Sequence, residues 1–277
     1  MNQNTLAQSF SLQGVGIHTG TVGKITVHPA PENFGRVFRT GNTEFAAHAD
    51  FVMDTSRCTT LGKDGAKIST VEHLLSALAG LDVDNALIEV EGAEIPILDG
   101  SALPFAEAIL AAGIKAQSVP AKTLKTENSI EFSEGSSRFL AKTSETDRTE
   151  FTVTTTFDNW VEGASTQKVL LSPEVYLKEI APARTFAFRQ EVEMLIAAGL
   201  AKGGSLDNAL IVTPPDEFSS PLRLSEEWCR HKLLDLIGDL ALLNVRPTRM
   251  SFGAVRPGHR LNVAFAQKIL QIGRAHV

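Results

Sequence analysis

The chain has 277 residues, 43% hydrophobic and 21% charged, an ordinary globular composition with enough apolar material for a large buried core. Its formal charge is −6 and no basic run stands out, which argues against a nucleic-acid groove or a polybasic membrane anchor. No apolar run nears the roughly 18 residues of a membrane span, no secretory signal opens the chain, and Cys58 and Cys229 make no framework, so a soluble protein of a reducing compartment is expected.

In chain order, short strands are predicted at 22–27, 35–39 and 86–90, with helices at about 69–81 and 102–112, the second after an Asp99-Gly100 turn. The polar stretch 116–129, which carries Pro120, reads as a linker and divides the chain into domains at 1–119 and 120–277. Further strands are expected at 130–132, 139–143 and 150–157. A helix at 172–180, a strand near 185–188, a helix at 190–198 and a strand at 208–212 follow. A long helix fills 225–244, and 253–262 reads as a closing hairpin. Strands and helices mix without strict βαβ alternation, which points to an α+β fold. A faint echo aligns the run from Glu72 to Leu81 with that from His231 to Leu240, as two related halves sharing a cleft would show.

The long helix is the most informative element. His231, Asp235 and Asp239 recur every four residues and so stack on one face. Around them lie Leu233, Leu234, Leu236, Ile237, Leu240, Leu242 and Leu243, the pattern of a buried helix. Carboxylates buried there cost several kcal/mol unless paired or metal-bound. An open zinc site needs three ligands, and two His with one Asp would serve. His28 and His48 read as surface residues, whereas His73 lies early in the 69–81 helix behind Glu72. Glu72 has two readings: a general base beside a metal site, or the third residue of a Ser69-Thr-Val-Glu72 capping box. The glycines at 14, 16 and 20 lack the spacing and the following helix of a dinucleotide loop. Cys229 and His231 do not share a helix face, and no Gly-x-Ser-x-Gly elbow is present.

Several motifs occur in order: Gly14-Val-Gly-Ile-His-Thr-Gly20, Ser69-Thr-Val-Glu-His-Leu-Leu75, Asp84-Asn85 and Glu94-Ile-Pro-Ile-Leu-Asp-Gly-Ser-Ala102. Ala183-Arg-Thr-Phe-Ala-Phe188, Gly203-Gly-Ser-Leu-Asp207, Arg230-His-Lys-Leu-Leu-Asp-Leu-Ile-Gly-Asp239 and Gly258-His259 complete the set. Together they resemble the UDP-3-O-acyl-N-acetylglucosamine deacetylase family, zinc amidases at the committed step of lipid A synthesis. The resemblance runs from the N-terminus to about Leu270.

It implies two α+β domains of similar topology, their helices sandwiched between two sheets. It implies zinc on His73, His231 and Asp235, with Glu72 as general base. His259 would be charged and meet the oxyanion or the leaving amine, with Asp239 orienting it. Thr185 would donate to the oxyanion, Lys232 would steady the polar substrate end, and Phe186 would contact the sugar. An insert in the second domain, near 185–212, would form an acyl passage walled by Val192, Leu195, Leu200, Ala209 and Ile211. Arg189 stands beside it, where the family commonly has an apolar residue. The implied partner is a UDP-acyl amino sugar, with no nucleic acid and no stable membrane anchor; a cytoplasmic monomer is expected. A metal-free sugar-nucleotide binder and a zinc amidase for another acyl sugar are the rival readings.

The chain ends in Gln271-Ile-Gly-Arg-Ala-His-Val277. Its last six residues match the translation of a common sequencing-adapter string. The expectation is therefore that 271–277 is not native sequence, that Gly273 breaks the last helix, and that His276 has no function.

Overall fold

The computed structural model describes residues 1–124, 126, 128–157, 164–199, 201–214 and 217–274, with the side chains of 273 and 274 excepted. Its helices are α1 (Glu72–Gly80), α2 (Leu103–Ala112), the single turn α3 (Pro173–Val175), α4 (Arg189–Ala197), α5 (Glu227–Leu240) and α6 (His259–Arg274).

Two five-stranded sheets share one topology. The first is ordered Phe10–Val15, Val22–Pro29, Ala86–Glu91, Arg36–Thr40, Thr43–Ala46. The second is ordered Ile130–Glu134, Ser137–Thr143, Met250–Val255, Glu150–Thr155, Ser165–Leu170. In each, the central strand comes last in the chain, antiparallel to the first hairpin and parallel to the second. A helix precedes each central strand and another follows it: α1 and α2 in the first half, α5 and α6 in the second. The echo between 72–81 and 231–240 therefore falls on equivalent helices.

Period-two alternation explains the sheets. Ile25, Val27, Phe38 and Ile88 are fully buried, while on the outer face Lys24 pairs with Glu91 and Arg39 with Glu89. Phe139, Phe151 and Phe252 do the same in the second sheet. The buried side chains of both halves form one contiguous core around α1 and α5. These helices touch at Gly238, where a Cβ would overlap the Glu72 carbonyl. That close approach sets the separation of the two polar helix faces.

Each half carries an insert before its inner helix. In the first it is a small sheet of Val52–Asp54, Thr60–Lys63 and Ala66–Ile68. In the second it includes α3, α4 and the sheet Phe186–Phe188, Leu210–Thr213, Glu217–Phe218.

Three expectations change. The supposed linker begins as a strand, because Ile114–Pro120 pairs with Asn2–Leu6. The hairpin at 253–262 is a strand, Met250–Val255, followed by α6; Arg256 turns the chain at φ 51° and Gly258 accepts the first helical bonds. Finally, α6 runs through Gly273 to Arg274 rather than breaking there. The helix expected at 172–180 is present: one α turn at Pro173–Val175 continues as a π-helical turn over Tyr176–Ile180, with Ala181 N–H donating to Tyr176 O at 2.8 Å.

Candidate active site

Glu72 and His73 open α1, and His231, Asp235 and Asp239 line one face of α5. All five are buried. The ligand atoms of His73, His231 and Asp235 lie within 4.8 Å of one another. His231 Nε2 is 3.4 Å from Asp235 Oδ1, and His73 Nε2 is 3.8 Å from it. Asp235 Oδ1 is buried without a hydrogen-bond partner, an acceptor aimed between two imidazoles. His231 Nδ1 donates to the Ala183 carbonyl at 3.0 Å, which leaves the Nε2 lone pair facing the cluster. Burial and the nearby His231 lower the His73 pKa to about 3, so that ring stays neutral and able to ligate. Burial alone would raise Asp235, but Lys232 and the three imidazoles outweigh it and hold the carboxyl well below its usual range.

Glu72 is not a cap. Val71 occupies the cap position with no side-chain bond, and the Ser69 amide donates to Ala93 O. The Glu72 carboxylate instead accepts the Thr59 amide at 3.0 Å and stands 3.8 Å from His259 Nε2. Burial, opposed by His259, raises its pKa to about 7, the range of a working base.

His259 opens α6. Its Nδ1 lies 3.0 Å from Asp239 Oδ2, and Asp239 is further held by Thr59 Oγ1 at 2.6 Å and Asn262 Nδ2 at 2.9 Å. Burial opposes the charged ring, yet Asp239, Glu72 and Asp235 outweigh it and raise the pKa to about 9. These carboxylates therefore favour the charged form of His259.

Glu72, His73, His231, Asp235 and His259 line a cavity of about 650 Å³. Thr185, Phe186 and Lys232 line it too; Lys232 Nζ donates to Asp235 Oδ2 at 2.9 Å and lies 5.6 Å from the Phe186 ring centre. An apolar arm carries Val192, Leu195, Ala209 and Ile211, whereas Leu200 lies outside the described residues. Arg189 points away: it is exposed, and its Nε donates to Thr213 Oγ1 at 2.8 Å.

Three further residues matter. Thr59 bridges Glu72 and Asp239. His18 lines the cavity on a loop pinned by buried Glu94, which accepts the His18 and Thr19 amides at 3.0 and 2.8 Å and the Thr70 hydroxyl at 2.9 Å. Arg57 lines the cavity and pairs with Glu191 of α4 at 3.7 Å. Each is held by at least one partner far away in the chain, where no periodicity points. The Gly14–Gly20 motif was the one available signal for His18.

The arrangement suits hydrolysis at a carbonyl: three side chains that could hold a metal ion, a carboxyl of raised pKa and an imidazole of raised pKa facing one cavity. Residues 3–271 match the profile of UDP-3-O-acyl N-acetylglycosamine deacetylase. A UDP-3-O-acyl-N-acetylglucosamine deacetylase of an Anaeromyxobacter species is 42% identical over 275 residues, covering 97% of this chain and 88% of the relative. That of Myxococcus xanthus is 40% identical, with 97% and 86% covered. That of Thermodesulfovibrio yellowstonii is 37% identical, with 98% and 92% covered. The chain belongs to the UDP-3-O-acyl-N-acetylglucosamine deacetylase family, amide hydrolases of the lipid A pathway.

Proposed function

We propose that this deacetylase holds one zinc on His73, His231 and Asp235 and works with Glu72 as base and His259 as acid. The observation that carries the zinc reading is Asp235 Oδ1, buried without a partner between two imidazoles. A bare carboxylate oxygen there costs several kcal/mol unless a cation meets it. Two imidazoles and a carboxylate suit zinc and leave it an open position. When bound, zinc polarises the acetyl carbonyl and acidifies water at neutral pH.

Glu72 takes the proton of the attacking water. His259 donates to the developing oxyanion or to the leaving amine, and Asp239 holds its ring and its charge. The Thr185 hydroxyl gives the oxyanion a second donor. Lys232 steadies the polar end of the substrate, and Phe186 packs on the sugar. The acyl chain lies along Val192, Leu195, Ala209 and Ile211. The products are acetate and a UDP-sugar with a free amine.

The working unit is taken as a cytoplasmic monomer with domains at 1–119 and 120–277. No helix among the described residues is long and apolar enough to cross a membrane. Acetate release from the UDP-acyl sugar tests the zinc reading. A strong chelator should abolish it, and a low concentration of zinc should restore it. Full activity in demonstrably metal-free protein would contradict the proposal.

A further inference from the structure

We propose that Glu227 and Arg184 are positioning residues that hold His231 in the tautomer and place a metal ligand needs, an inference that rests on the zinc reading above. Glu227 and His231 lie one turn apart on α5, so both face the same neighbouring strip of backbone, residues 183–185. His231 Nδ1 is 3.0 Å from Ala183 O. A carbonyl only accepts, so the ring carries its proton on Nδ1 and keeps Nε2 free.

One residue on, Glu227 takes over. Its Oε1 accepts the Arg184 amide at 2.9 Å and Arg184 Nε at 2.8 Å. Its Oε2 accepts Arg184 Nη2 at 3.1 Å and the Arg223 amide at 2.7 Å. The guanidinium also donates to Ser220 Oγ at 2.7 Å and Pro221 O at 2.9 Å. The next amide, of Thr185, donates to Gly100 O at 2.7 Å. Glu227 is 0% exposed and Arg184 7%, so water competes with none of this. The strip is thus tied to the same helix that carries the ligand, and Ala183 O cannot swing away without breaking the buried ion pair. His73 has no such support, because its Nδ1 is buried without a partner. Orientation of the imidazole pair therefore falls on His231.

Chelator-competition titration with zinc tests this in the full-length protein. The variants are E227Q, R184K and, as a stability control, D84N, which breaks the Asp84–Arg246 ion pair away from the cluster. Loss of an outer hydrogen-bond partner typically weakens metal affinity about 10–100-fold, and E227Q should fall in that range, R184K by less, and D84N by under about twofold. Nitrogen NMR of the metal-free protein should show His231 protonated on Nδ1 in the wild type and a tautomer mixture in E227Q. Wild-type affinity and tautomer in both E227Q and R184K overturn the proposal; if E227Q does not fold, R184K decides it. A wild-type protein without zinc affinity overturns the zinc reading itself, so the two failures are distinct.

Discussion

Glu72 opens a helix but turns its carboxylate sideways, to the Thr59 amide and toward His259. An amide in its place keeps the shape and loses the basicity. Glu72→Gln should lower turnover by roughly 10²–10⁴ with zinc content unchanged; near-normal turnover would remove Glu72 from the chemistry. In the proposed mechanism His259 acts in its charged form, and its pKa stands at about 9. Activity should therefore fall as pH rises toward about 9, and a cation bound nearby, which disfavours the imidazolium, moves that limb lower. The proposed mechanism gives the opposite limb to Glu72, acting deprotonated, so activity should rise with pH toward 7 and, with a cation bound nearby, begin rising lower. A pH–rate profile of His259→Ala should lose the basic limb; an unchanged limb would contradict the assignment. The i, i+4 stripe made His231, Asp235 and Asp239 legible in the sequence. Thr59 was not, because its link to Asp239 spans 180 residues and no local pattern encodes it.

At the scale of elements, the crossing of α1 and α5 sets His73 beside His231 and Asp235 and brings Glu72 against Gly238. Gly238 permits it, since any Cβ there meets the Glu72 backbone. Gly238→Ala should destabilise by about 1–3 kcal/mol and displace Glu72. Thermal unfolding and turnover check this together: both should drop, and a wild-type melting temperature would contradict the close crossing. Apolar periodicity exposed these two helices because they are buried. It failed where burial fails. Strand Ile114–Pro120 is mostly exposed and mixes polar with apolar residues, so nothing marked it as paired. Pro257-Gly258 reads as a turn in any setting, so a hairpin and the start of α6 looked alike. In α6 the amphipathic run carried the helix through Gly273, whose cost is only about 1 kcal/mol against Ala.

Across the whole molecule, two copies of one topology face each other, and the site draws on both. The first half supplies Glu72 and His73, and the second supplies His231, Asp235, Asp239 and His259. Ion pairs join the halves at the edge, among them Arg223–Asp99 at 2.6 Å. Burial would raise Asp99, but Arg223 and Ser101 outweigh it and hold the carboxyl below its usual range. Its contribution to stability is thus fully present above about pH 4 and lost as pH falls through the depressed folded value. Asp99→Asn should melt slightly lower at neutral pH, by under about 1 kcal/mol because the pair is partly exposed. Its stability should also depend less on pH in acid; a melting curve matching wild type at every pH would contradict the coupling. The duplication was faint in sequence, because the equivalent helices share little beyond Leu-Leu pairs, whereas the strand order is unmistakable. The central claim is that both halves meet on one zinc, and zinc content per chain tests it most directly. Wild-type protein loaded with zinc and dialysed should retain about one ion per chain. His231→Ala and Asp235→Ala should each lose most of it while remaining folded. Full zinc retention in both variants would contradict the account.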